Sequence, residues 1–175
     1  MRSFLMAVLL LLSCAVPSWA QAEGLEALLA KNQAAIAKPS RATAETLIKD
    51  LLASGAEGVQ PFLEKWGKRE VWVRKADGAF FTVEKDGENF KLIDIATGKE
   101  EGTAQKGEID QVKPNAGVQA LVTGALVQFQ LSDADPARRA AALADLERKA
   151  DAAQLAPLRA SIEGETDAFL KQRKE

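Results

Sequence analysis

The chain has 175 residues, 23 of them basic and 25 acidic, a formal net charge of −2, no His, no Tyr and a single Cys. Zinc, copper and haem sites lean on His and Cys, and nucleophile–His–acid catalysis needs His, so this composition excludes them. A lone Cys makes no internal disulfide, and intermingled charges of both signs are not the basic stripe of a nucleic-acid binder.

Met1 and Arg2 precede a mostly apolar run from Phe4 to Val16, followed by the small-x-small patterns Ser18-Trp19-Ala20 and Ala20-Gln21-Ala22. A positive start, a short apolar core and such a site predict a secretory signal peptide over residues 1–22. The run is shorter than the about 20 apolar residues of a membrane span. A second reading is a lipoprotein-like box at Leu11-Leu12-Ser13-Cys14, with cleavage before Cys14 and a lipid anchor there. A third is an uncleaved anchor. Each places the mature chain outside the cytoplasm, in the periplasm or cell envelope.

The mature chain begins helical, over residues 23–68. Leu25, Leu28, Leu29 and Ile36 share a face until Lys38-Pro39-Ser40 breaks the run. Leu47, Ile48, Leu51 and Leu52 mark a second helix, closed by Ser54-Gly55, with Glu45 placed to pair with Lys49. Val59, Phe62, Leu63 and Trp66 follow helical spacing, with Pro61 in the first turn.

The period then changes to two, and residues 69–113 read as a β insert. Glu70 to Arg74, Phe81 to Glu84 and Phe90 to Ile95 alternate or are β-rich, separated by Asp77-Gly78 and Asp86-Gly87 turns. Thr97-Gly98 ends the third strand, and a short fourth is expected near Glu108 to Val112. Trp72 opposes Val71 and Val73 on its strand, and Phe80 opposes Phe81 and Val83. With helices on one face only, Trp72, Arg74 and Phe80 would form a partner-binding surface. With both faces covered, the two aromatics would be core.

Helices resume over residues 114–175. Val118, Leu121, Val122, Ala125, Leu126 and Phe129, widened by Val127 and Leu131, predict the most buried helix of the chain. Asp135-Pro136 starts the next, which carries Leu143, Leu146 and an Asp145–Lys149 pair. Leu155, Leu158 and Ile162 mark another, and residues 166–174 the last, with Asp167 four before Lys171. Arg138 and Arg139 read as surface charges at a helix start. Val59, Pro61, Phe62 and Trp66 recur 96 residues later as Leu155, Pro157, Leu158 and Ile162, as do Leu47 in Leu143 and Ala56 in Ala152. The expected fold is therefore α+β and mostly α, one compact domain of HEAT-like helical repeat pairs around a small antiparallel β meander.

Glu84, Asp86, Glu88, Asp94, Glu100 and Glu101 lack the spacing of a calcium loop or a catalytic pair and read as solvated turn residues. Gly-rich phosphate loops are also missing. No catalytic residue, metal site or cofactor is expected.

Several segments occur in a telling order: Leu52-Ala53-Ser54-Gly55 with Pro61-Phe62-Leu63, Val73 through Gly78, Asp94 to Gly98 as Asp-x-x-Thr-Gly, and Val112-Lys113-Pro114-Asn115. Leu131-Ser132-Asp133, Asp135 through Arg138 and Glu165-Thr166-Asp167 continue it. Across residues 47–167 this resembles the periplasmic N-terminal extension of the urea ABC-transporter permease, the B-type subunit of the branched-chain amino-acid permease group. The resemblance implies a non-catalytic interaction module whose partners are the permease and solute-binding subunits of a urea transporter. The family's membrane bundle would follow such an extension, so the resemblance implies a fragment, a split gene product or a stand-alone relative. Without the resemblance, the expectation is an independent exported HEAT-like protein-binding module.

Overall fold

A computed structural model describes residues 24–149 and 152–175. The expected signal peptide, residues 1–22, and the alternative anchor at Cys14 lie outside the described residues. In chain order the elements are helices α1 (Leu25–Lys31), α2 (Gln33–Ala37), α3 (Arg41–Ser54) and α4 (Val59–Gly67), then strands β1 (Trp72–Arg74), β2 (Phe80–Asp86), β3 (Asn89–Asp94), β4 (Glu100–Ala104) and β5 (Ile109–Gln111). Helices α5 (Ala116–Leu131), α6 (Pro136–Arg148), α7 (Leu155–Ile162) and α8 (Ala168–Lys174) complete the chain, with a short 3-10 turn at Ala152–Gln154 before α7. The fold is α+β, with the helices on either side of the sheet in sequence. No helix among the described residues is long and apolar enough to cross a membrane.

Local chemistry sets the helix ends. Ser40 Oγ accepts from the Thr43 amide at 3.2 Å while Thr43 Oγ1 accepts from the Ser40 amide at 3.1 Å, so both side chains cap the start of α3. Gly55 ends it in the left-handed region at φ 62°, where a side chain would be strained. Asp135 Oδ1 accepts from the Ala137 amide at 2.8 Å ahead of Pro136, and Asp167 Oδ1 accepts from Phe169 and Leu170 at 2.9 and 3.0 Å. The expected i,i+4 ion pairs give way to these demands. Asp167 caps α8 rather than pairing with Lys171, and Asp145 meets Arg148 instead of Lys149. The first helix is broken at Asn32, whose Nδ2 donates to Leu28 O at 2.9 Å, although Leu25, Leu28, Leu29 and Ile36 all end up buried as one face.

The sheet order is β4-β3-β2-β1-β5, all antiparallel. Strands β1 to β4 form a meander, and β5 returns to the far side of β1. Strand β4 is absent from the sequence expectation. In Glu100-Glu101-Gly102-Thr103-Ala104 only Ala104 is buried, so no period-two signal exists, and its pairing with β3 is irregular between Lys91 and Ile93. Glu108 N donates to Gln105 O at 3.0 Å, so residues 105–108 make a tight turn whose ends lie within about 7 Å. That turn joins the first and last strands of a sheet whose four spacings of about 4.8 Å would put them about 19 Å apart if flat. The sheet therefore curls upon itself.

Curling gives the sheet two apolar faces. Trp72 pairs with Phe81, and Val73 with Phe80, so Trp72 and Phe80 point to opposite sides. The inner side gathers Phe81, Leu92, Ala104 and Ile109, all buried, with Trp72, Val83 and Phe90 around them. The Trp72 and Phe90 rings sit 5.6 Å apart. The outer side joins the main core, in which Val71, Phe80, Ile95 and Val112 pack with residues from α1 through α5.

Helices α3, α4, α6 and α7 all pack on α5. It is not the most buried helix, however: Leu121, Leu126, Val127 and Phe129 stay half-buried, whereas Val59, Phe62, Leu63 and Trp66 of α4 are all buried. The positions 96 residues apart also differ. Phe62 and Trp66 are fully buried while Leu158 and Ile162 are half-buried, Pro61 is exposed while Pro157 is buried, and Leu155 is 50% exposed against 2% for Val59. The cause is that the apolar residues of α4 lie in the main core with residues of the sheet and α5, whereas one flank of α7 faces solvent.

Trp66 stacks on Phe62 with centroids 5.8 Å apart, yet its buried indole N–H finds no acceptor among the described residues. An unpaired buried donor costs stability. Trp66→Phe, which deletes it, should therefore cost well under the about 3–5 kcal/mol of Trp66→Ala in denaturant unfolding; equal losses would contradict this.

Candidate functional site

The residues singled out on the β insert do not form one surface. Phe80 is 4% exposed in the main core, on the helix side of the sheet, as the reading with both faces covered expects; what the register corrects is its sharing a face with Trp72. Trp72 and Arg74 lie on the inner side. The Arg74 guanidinium sits 4.6 Å above the Phe81 ring, and its Nε and Nη2 donate to Asp77 at 3.0 and 2.6 Å. This pairing holds the Asp77 carboxyl below its usual range, chiefly through the Arg74 hydrogen bond. Arg74 thus covers the Phe81 ring and closes the Asp77-Gly78 turn. That turn is also latched to α2: Gln33 Nε2 donates to Asp77 O at 2.8 Å and occupies the place of a Gly78 side chain, at φ 73°.

Of the acidic residues on the insert, Asp94 and Glu100 are committed to structure. Asp94 Oδ1 accepts from the Thr97 amide at 2.6 Å, and Glu100 pairs with Lys91 at 2.9 Å. Glu84, Asp86 and Glu88 are exposed at the end of the β2–β3 hairpin. Among the described residues no group of three or more His, Cys, Asp or Glu is arranged to hold a metal ion.

A buried charge cluster forms where α5, α6, α7 and α8 meet. Arg139, expected at the surface, is 8% exposed. Its Nε and Nη2 donate to the two oxygens of Glu165 at 3.0 and 2.8 Å, and its Nη1 donates to Asp133 O at 2.8 Å. Lys174 Nζ lies 2.8 Å from Glu165 Oε2 and donates to Leu131 O, the last carbonyl of α5, at 2.8 Å. The Asp167 amide also donates to Glu165, at 2.9 Å. Glu165 is therefore held ionised: its pKa drops from 4.5 to about 2, first through Arg139, then Lys174 and Asp167, against an opposing effect of burial. Each of these charged groups has hydrogen-bonding partners, so the cluster fastens the helix ends to one another.

A mostly apolar groove of about 780 Å³ runs along the outer surface of α5. Helix α3 forms one wall with Ile48, Leu52 and Ala53, and α7 forms the other with Ala156, Pro157 and Ala160. The floor is the half-exposed flank of α5, including Gly117, Ala120, Leu121 and Gly124. Sequence reasoning missed it, although one signal was present: the apolar stripe of α5 is wider than one packed face needs, and small residues interrupt it. A Cβ on Gly124 would meet nothing closer than Pro157 Cγ, at 3.7 Å, an ordinary contact. Ala would fit there, so the helix carries a glycine that packing does not require.

Comparison with family models, curated proteins and solved structures gives no match.

The folded pKa of Glu165 is depressed, so its contribution to stability is complete above the unfolded value near 4.5 and is lost as pH falls toward about 2. Glu165→Gln leaves two buried cations unneutralised and should cost about 3–5 kcal/mol at pH 7. That deficit should shrink across the same acid window in pH-dependent urea unfolding, and a deficit unchanged with pH would refute the assignment. Gly124→Ala should stabilise the protein by about 0.5–1 kcal/mol, and a destabilised variant would show that the floor of the groove is already filled.

Proposed function

We propose that this chain is an exported, non-catalytic interaction module of a urea-uptake ABC transporter, docking on the solute-binding protein or on the outer face of the permease. The observation that carries the interaction role is the apolar groove on α5. An apolar groove walled by ordered helices is a common form of protein contact site. Its floor keeps a mid-helix glycine at a cost of about 1 kcal/mol in helix stability. The signal-like residues 1–22 support export, and the ordered segments between Leu47 and Asp167 support the transporter assignment by resemblance. The buried Arg139–Glu165–Lys174 fastener fits a static scaffold that presents a surface.

Titration calorimetry of the chain, purified without residues 1–22, against the urea-binding protein and against the periplasmic face of its permease tests this reading. Saturable binding to either, weakened at least about tenfold by the groove variant Leu121→Asp, is the expected result. Absence of binding to both would overturn the transporter assignment. Mass spectrometry of protein recovered from cells should find the mature start near Gln21 or Glu23. Intact Met1 on cytosolic protein would overturn export.

A further inference from the structure

Three exposed charges line the α3 wall of the groove at helical spacing: Arg41, Glu45 and Lys49. Residues four apart on a helix are neighbours, and Glu45 could pair with either cation. It pairs with neither: none of the three forms an ion pair among the described residues. Arg41 instead lays its aliphatic stem near Gly117, with Cδ 3.8 Å from where a Cβ would stand, keeping its head at the groove edge. The facing wall offers only Ala156, Pro157 and Ala160. The groove is therefore apolar along one side and, apart from Gln128, at its base, and carries a plus–minus–plus row on the other side.

We infer that the groove receives a single amphipathic helix of a partner protein, whose flank carries an acidic, a basic and an acidic residue at i, i+4 and i+8. This rests on the interaction role proposed above and specifies the chemistry of the partner. The charge row spans eight residues of α3, about 12 Å, or about two turns of a bound helix, so its rungs fall opposite residues of the same spacing. Plus–minus–plus reads the same in either direction, and its complement fits a helix running parallel or antiparallel to α3. The small, exposed Ala120 lets the visiting backbone approach α5 closely, and medium-sized apolar side chains at i, i+3, i+4 and i+7 would meet Ile48, Leu52 and Leu121. A second folded copy of this chain is a poorer fit. The groove draws on one flank each of three helices, less than the about 20–30 residues a side of a stable subunit interface.

The test uses two labelled helical peptides of about 18 residues, long enough to cross the groove. Both carry the same Leu/Ala stripe, one with Glu-Lys-Glu and the other with Lys-Glu-Lys on the flank. Fluorescence anisotropy at low salt should show the Glu-Lys-Glu peptide binding about tenfold more tightly. The triple variant Arg41→Glu/Glu45→Lys/Lys49→Glu should reverse that preference, and Ala120→Trp, which fills the exposed floor, should abolish binding of both. Circular dichroism checks that each variant keeps its fold. Binding without charge preference, no binding, or uptake of a fluorescent dodecanoic acid in place of peptide would each overturn the inference. If Ala120→Trp and the charge-reversed variant still bind the urea-binding protein or permease as the parent does, the groove inference falls and the transporter reading stands. If the peptides bind as expected while neither transport component does, the transporter reading falls and the groove inference stands.

Discussion

Helix α5 is the constraint on which the structure depends. Its inner face, through Val118, Val122 and Ala125, belongs to the same core as α3, α4 and the outer side of the sheet. Its C-terminal end, through Leu131, belongs to a second cluster with Leu143 of α6 and Leu170 of α8. One helix thus joins two otherwise separate apolar clusters. Its remaining flank, unused by either, becomes the groove floor between α3 and α7. Fold and candidate site are two faces of one element, and a shift in α5 would move both walls of the groove.

Charge is handled in opposite ways at the two ends of α5. At the C-terminal end, Glu165 is buried between Arg139 and Lys174, and Lys174 also caps the final carbonyl. Ionic groups out of water are tolerated only with partners, and there two cations share one carboxylate and give further hydrogen bonds to the backbone carbonyls of Asp133 and Leu131. Near the N-terminal end, Arg41, Glu45 and Lys49 remain in water beside apolar surface, without ion-pair partners among the described residues. The first arrangement fixes helix ends against each other. The second leaves three charges in solvent along the groove wall.

The sequence was most legible where local chemistry decides structure. Ser40 and Gly55 bound α3, Asp135-Pro136 starts α6, and the Asp-Gly pairs turn the hairpins, because each of these acts on its own backbone. It was least legible where a distant partner decides. Arg138 and Arg139 are indistinguishable in sequence, and only Glu165, 26 positions on, draws Arg139 inward. Strand β4 has no apolar alternation and exists because β3 offers an unpaired edge. Phe80 could not be assigned a side until its register with Val73 was known, since a one-residue slip exchanges the faces. The groove was visible only as an excess: α5 has more apolar residues than one buried face can use, and the positions of α3 and α7 decide what the excess becomes.

Amide hydrogen exchange under native conditions tests the central role of α5 most directly. If α5 joins the two clusters, the Val122 and Ala125 amides should exchange only through global unfolding, at the same limiting free energy as those of Phe62 in α4 and Phe81 in β2. Exchange of Val122 and Ala125 through a lower-energy opening, while Phe62 and Phe81 stay protected, would contradict the account.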